Sequence, residues 1–208
     1  MVTRLVAIFN VWDDWDLLSH SVKKIYPFVN GIIVVGSEKS NYGEISPIPK
    51  HWIDTDFVTL FIREPQFNHP MNSETDKRNF GLHKARELGY THFISMDADE
   101  FYDPKEFTKA KNMFHVEHDL QGIVCPVQCY FKSPTLTIGL DVTLVPFIHR
   151  LTDTIKHEFN RHYPFAWEGK QIRIDPTRSL SINSGVMFSD EITIHRIVTG
   201  KQIGRAHV

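Results

Sequence analysis

Asp97, Asp99 and Glu100 follow directly on the apolar run His92–Met96 (HFISM). Carboxylates at that density take up protons as general acids or bases, or share a hard cation. If Asp97 and Asp99 remain extended, alternation sends both side chains to one side with Cα atoms ~6.6 Å apart. Two ionised carboxylates drawn to ~5 Å repel by roughly 3 kcal/mol at an effective dielectric of ~20, so a proton or a cation must relieve them. A hard divalent ion, Mg²⁺ or Mn²⁺, takes oxygen ligands and commonly shares its shell with substrate phosphates. Asp103 has a structural use instead. The run Asp103-Pro104-Lys105-Glu106 offers an N-cap, a proline at the first helical position and an N3 glutamate. Asp97 and Asp99 are left for chemistry.

A short apolar run after the Gly89-Tyr90-Thr91 break reads as a buried strand, and carboxylates past the carboxyl end of a central strand lie where open α/β sheets hold ligands. The helix before it is expected to begin at Ser73, to turn Leu82, Ala85 and Leu88 towards a sheet, and to end at Gly89. Lys77 and Arg78 then fall one turn in, near the positive end of the helix, where cations suit an anionic ligand better than they suit the fold. Further upstream, Arg4–Asn10 (RLVAIFN) reads as a first strand. A helix capped by Asp13 or Asp14 follows, with Trp15, Leu18, Val22 and Ile25 as its apolar stripe, and Gly31–Gly36 is a second buried strand. Together they make a parallel βαβ unit. Ser37–Pro49 is a loop at the ligand-side edge and Val58–Ile62 a third strand. Downstream, Gln121–Phe131 reads as one strand, bulged or at an edge because of Pro126. Ser133–Arg150 alternates and is expected to fold over the site as an acceptor-side lobe, and Asp175-Pro176-Thr177-Arg178 is a turn.

The 208 residues suffice for one sizeable core, and a net charge of −2 gives no reason to expect a nucleic-acid or anionic-membrane partner. No run approaches the ~18 apolar residues of a spanning helix, and Leu5–Phe9 is too short for a signal-peptide core. Cys125 and Cys129 read as reduced core thiols of a cytoplasmic protein. Gln202–Val208 back-translates to the start of a common sequencing adapter, so the natural chain is expected to be cut near residue 201 and 202–208 to be read-through. His157-Glu158-Phe159-Asn160-Arg161-His162 is one residue too long for a zinc-protease HExxH, and His115 and His118 close a helix.

The order of an N-terminal strand ending at Asn10, then KRNFGLHKA, then MDADEF resembles the family-two glycosyltransferases of the GT-A nucleotide-sugar fold, over roughly residues 3–131. Arg78-Asn79-Phe80-Gly81 stands where that group has its arginine-asparagine-x-glycine helix, and Asp97-Ala98-Asp99 where it has its aspartate-x-aspartate strand end. The resemblance implies an α/β fold: a three-layer α/β/α sandwich around a mostly parallel, Rossmann-like sheet, truncated at its C-terminus. It would form one domain over 1–201, with a nucleotide-binding half to about 103 and an acceptor-side half beyond. It implies a nucleotide-diphosphate sugar donor with base and ribose near Phe9, Asn10, Gly36, Ser37 and Glu38, and a saccharide or other hydroxyl acceptor. Lys77, Arg78 and Asn79 would serve the donor. Asp97 would face ribose and metal, Asp99 would ligate the metal, and His195 would complete the shell, which favours Mn²⁺ over Mg²⁺. An inverting transfer would need a carboxylate base, for which Asp141, Glu168 and Asp175 are the candidates. The loop after the second strand departs from the group, carrying Val-Gly-Ser-Glu in place of an acidic Asp-Gly-Ser run.

Two other readings compete. A nucleotidyltransferase on a related fold would need a Gly-rich basic loop after the first strand, whereas Asn10-Val11-Trp12-Asp13-Asp14 is acidic. A non-catalytic carbohydrate-binding module would use Trp12, Trp52 or Trp167.

Overall fold

The structure, a computed structural model, describes residues 3–52, 58–66, 69–117, 119–141, 143–159, 162–167, 170–182 and 185–198; of 52, 115, 162–167 and 170–173 it describes the backbone alone. Glu168 and the 202–208 tail lie outside the described residues, as does His118.

Four strands of the N-terminal half run parallel: β1 (Leu5–Val11), β2 (Gly31–Gly36), β3 (Val58–Ile62) and β4 (His92–Asp97). They stand in the order β3-β2-β1-β4, and the sheet continues through β9 (Val145–Arg150) and β6 (Gly122–Cys125) to β12 (Val186–Phe188), seven strands in all. Strand alternation sorts the core into two faces. Leu5, Ala7, Phe9 and Val11 pack with Trp15 and Leu18 of α1 (Trp15–Ile25) and with Phe107 and Ala110 of α3 (Pro104–Val116). Val6 and Ile8 pack on the opposite face with Leu82 and Ala85 of α2 (Pro70–Glu87) and with Ile155, Ile174 and Leu180. The result is the expected three-layer α/β/α architecture with a mostly parallel sheet. The chain works outward from β1 to β3 and then returns to place β4 on the other side of β1. The ends of β1 and β4 therefore make the crevice in which open sheets of this winding hold ligands.

α2 begins at Pro70, not Ser73, because proline fills a first helical position whose N–H would be unpaired anyway. Lys77 and Arg78 consequently lie three residues further in than expected, beyond the first turn, and the helix-end argument for them lapses. A different cause holds them. The buried stripe of α2 is Ser73, Lys77, Arg78, Gly81, Leu82 and Ala85, apolar where it crosses mid-sheet and charged where it overlies the strand ends. Gly81 lets the helix come close: a Cβ there would lie 2.5 Å from Ile8 Cγ2 and 3.2 Å from Val35 Cγ2. Leu88, expected on the sheet, is an exposed C-cap residue, and Gly89 follows at φ 73°.

The C-terminal half departs further from expectation. Pro126 does not bulge a strand but splits it, and the two pieces belong to different sheets. β6 stays in the central sheet, while β7 (Val127–Phe131) joins β5 (Glu100–Tyr102), β13 (Ile194–Val198) and β8 (Thr137–Leu140) in a second sheet ordered β5-β13-β7-β8. Proline has no N–H to give to a ladder, so the pairing changes there. Val145–Arg150, expected within a lobe over the site, is a central strand instead: β9 is buried from Val145 to His149 and runs antiparallel between β4 and β6. β10 (His162–Trp167) and β11 (Lys170–Arg173) form a separate hairpin.

Candidate functional site

β4 ends at Asp97, Ala98 and Asp99 make a turn, and Glu100 opens β5. The extended geometry that would put Asp97 and Asp99 on one side of a strand is therefore not adopted. Glu100 closes the turn, its Oε2 accepting from the Asp97 N–H at 3.1 Å. Asp97 pairs with Asn10 across the β1–β4 ladder, so both stand at the crevice. Its side chain keeps 31% of its surface exposed, whereas Asp99 is 3% exposed and Glu100 fully buried. Asn10 Oδ1 is buried with no hydrogen-bond partner among the described residues.

The cations at this point are the chain's own. Arg78, 3% exposed, donates from Nη2 to Asp97 Oδ1 and to Glu74 Oε1, both at 2.8 Å, and from Nη1 to Ser95 Oγ at 3.2 Å. Arg178, fully buried, pairs through Nη2 with Asp97 Oδ2 and with Glu100 Oε1. Arg196 of β13 donates to Glu100 Oε1 from Nη2 at 2.7 Å and from Nε at 3.1 Å. Arg178 and Arg78 hold the Asp97 carboxyl well below the usual carboxylate range against its burial. Asp99 moves the other way: burial, with Asp97 and Glu100 adding to it against the pull of Arg196, pushes its carboxyl up to about 7.

Lys77 is buried beside this group. Its ammonium donates to the Val11 carbonyl at 3.1 Å and to Ser37 Oγ at 2.9 Å, tying the end of β1 to the end of β2. Burial lowers its pKa to about 8. The loop beyond β2 is pinned by Glu64, which accepts from the Glu38 and Lys39 N–H groups at 2.9 and 3.1 Å, and Trp12 Nε1 donates to the Glu38 carbonyl at 3.3 Å. Glu38 itself is exposed.

Other residues named from the sequence stand elsewhere. Phe9 is fully buried in the core, one residue short of the crevice and on the face under α1. Asn79 is spent on the chain: its amide donates to the His157 carbonyl at 3.0 Å and accepts from the His157 N–H at 2.7 Å. His195 pairs across the ladder with Phe101 and hydrogen-bonds Tyr130 at 3.0 Å, while Arg196, the next residue, carries the link to Glu100. Asp141 and Asp175 each accept from the backbone and hydroxyl of a threonine two residues on, Thr143 and Thr177.

Glu74, Glu100, Arg178 and Arg196 complete the charge group; of these the sequence reading places only Glu100 beside Asp97, and it pairs none of Glu74, Arg178 or Arg196 with the cluster. Arg178 and Arg196 are far from Asp97 in the chain, and no local spacing reports such a pairing. Glu74 carries a legible signal, since it stands one turn before Arg78 on the same helix.

As these carboxylates stand, they do not fit a divalent cation. Hard cations want several oxygen ligands, and no three Asp, Glu, His or Cys side chains converge to hold one among the described residues. Both oxygens of Asp97 already face guanidinium groups. Arg78, Arg178 and Arg196 balance Glu74, Asp97 and Glu100 charge for charge.

No family model and no curated protein matches the chain. Among solved structures it is similar to S. aureus TarS, at 13% identity and TM-score 0.48 over 72% of this chain and 28% of that one. A structure of S. aureus TarS 1-349 is similar at 12% identity and TM-score 0.45, over 72% of this chain and 47% of that one. The chain thus spans less than half the length of either neighbour. Among the described residues, no helix is long and apolar enough to cross a membrane.

Proposed function

We propose that this chain is a glycosyltransferase that takes a sugar from a nucleotide-diphosphate donor and passes it to a hydroxyl acceptor, with the donor seated at the ends of β1, β2 and β4. One observation carries the reading. Asn10 and Asp97 are neighbours across the ladder at the point where the winding of the sheet reverses, and each offers an acceptor there. Asp97 is partly exposed and Asn10 Oδ1 has no partner among the described residues, so a ribose hydroxyl or a base N–H is the complementary group. The motifs that resemble the family-two transferases meet at the same place: Arg78 from the R-N-F-G helix bonds Asp97 from the D-A-D strand end.

Glycosyl transfer leaves negative charge on the departing diphosphate as the bond to the sugar breaks. Groups that meet that charge more strongly in the transition state than in the ground state speed the step. Arg78 and Lys77 are the cations that α2 brings to the strand ends, and their burial makes their fields less screened than those of surface charges. The acceptor and the base that would deprotonate it belong to the proposal only as classes: a hydroxyl compound, and a carboxylate.

The test is a donor-hydrolysis screen over nucleotide-diphosphate sugars on the full chain, in the presence of Mn²⁺ and again in EDTA. Turnover of at least one donor that falls a hundredfold or more in Asp97→Asn supports the reading. Turnover of nucleoside triphosphates in its place would assign a nucleotidyltransferase. Saccharide binding without any donor cleavage would assign a binding module.

A further inference from the structure

We infer that Arg178 is the resident cation of the Asp97 seat, so that the positive charge at this site comes from the chain's own arginines and not from a divalent ion held between Asp97 and Asp99. The inference rests on the reading that Asp97 faces the ligand crevice. It departs from the metal set Asp97, Asp99 and His195 that the sequence resemblance implies.

Three observations support it. Arg178 is the largest side chain in the molecule that is fully buried among the described residues, and it divides one nitrogen between Asp97 and Glu100. A guanidinium is charged at every working pH, so it serves as a permanent counter-ion. The segment that carries it is firmly fixed. Ile174 and Leu180 are buried in the core beneath α2, the Glu158 N–H donates to the Ser179 carbonyl at 2.9 Å, and the Ser181 N–H to the Lys156 carbonyl at 2.9 Å. The Lys156–Glu158 stretch is itself clamped by Asn79, the residue beside Arg78. Asn79 in the R-N-F-G motif thus acts as a positioning residue: it holds the segment that delivers Arg178 to Asp97.

The third observation is the charge count. Three arginines already neutralise three of the carboxylates at the site, and a divalent ion added at Asp97 would have to drive a guanidinium out of a buried pair. No covalent step is involved; the claim concerns which cation occupies one position.

The experiment titrates the full chain with Mn²⁺ alone, following free Mn²⁺ by its electron paramagnetic resonance signal, with no nucleotide or sugar present. The wild-type chain is expected to show no saturable site tighter than about 1 mM. Arg178→Gln keeps the side chain polar but removes the charge, and it is expected to open a site at least tenfold tighter that Arg178→Gln/Asp97→Asn loses again. Arg178→Lys restores a charge and is expected to stay within threefold of wild type. The inference is overturned if the wild-type chain takes up one equivalent of Mn²⁺ at micromolar concentration and Asp97→Asn abolishes it. It is equally overturned if folded Arg178→Gln, checked by circular dichroism, binds Mn²⁺ no better than wild type. Should Arg178→Gln fail to fold, wild type against Asp97→Asn decides alone. Because no donor enters the titration, a chain that turns over no nucleotide sugar still reveals which cation Asp97 holds.

Discussion

The stretch from β1 to β4 and the stretch from β5 to β13 are built by different rules. In the first, β1 and β3 are each followed by a helix that packs on the sheet, and parallel pairing sets β1 beside β2 and β2 beside β3. In the second, partners are distant: Phe93 pairs with His149, Phe101 with His195, and Val186 with Gly122. The candidate site lies on the seam. Asp97 ends the last strand of the first stretch, and two of the three arginines around it and Glu100, Arg178 and Arg196, come from the second. A ligand site that either stretch could build alone would survive damage to the other; this one should not.

The largest expected break is therefore at Glu100, the carboxylate shared by Arg178 and Arg196. Glu100→Ala leaves the buried Arg178 and the half-buried Arg196 short of a partner and is expected to cost about 3–5 kcal/mol, read as a lowered midpoint in urea denaturation. A midpoint within error of wild type would show that this shared carboxylate does not hold the distant partners of the second stretch together.

Acid should open the second stretch first. Burial of His149 in β9 pushes its imidazole down to about 3, and burial together with Arg78 and Arg178 holds His157 well below its ordinary value. The unfolded chain takes up protons on these rings near pH 6.5 and the folded chain does not, so their contribution is intact above that pH and drains away as pH falls towards 3. The slope is at most about 1.4 kcal/mol per pH unit for each ring. Stability measured from pH 7 to 4 should fall along this slope, and His149→Phe should flatten it; an unchanged slope would show that β9 is not the acid-sensitive strand.

Asn79→Ala strips the His157 backbone of both its partners and is expected to cost about 2 kcal/mol, with faster amide exchange over 155–182 and little change in β1 or β2. The smallest effect is expected inside the first stretch. Gly81→Ala gains helix propensity but sets a methyl against Ile8, for a net loss of about 1 kcal/mol, visible as a small drop in thermal midpoint.

The first stretch is legible in the sequence because its signals are local. The stripe Trp15, Leu18, Val22 and Ile25, the buried runs of β2 and β4, and the Asp103 cap are all readable from spacing, and Asp103 does accept from the Lys105 and Glu106 N–H groups. The second stretch is less legible because VPFIHR looks the same on paper whether it lies over a site or inside a sheet; only its partners β4 and β6 decide. At the site, spacing alone puts Asp97 at a strand end and Arg78 on the preceding helix. The acidic cluster looks in need of an outside cation because the compensating arginines Arg178 and Arg196 stand roughly eighty and a hundred positions away, where no periodicity points back to them.

One residue, Pro126, separates the last position of β6 from the first of β7. The two sheets are therefore joined there with no slack loop to absorb a relative tilt, as they are again at the two-residue Ala98-Asp99 turn between β4 and β5. Any ligand that pries the ends of β1 and β4 apart must also drag on the second sheet, whose inner strand β13 carries His195 and Arg196, which makes that sheet a natural place to attach a reporter of occupancy.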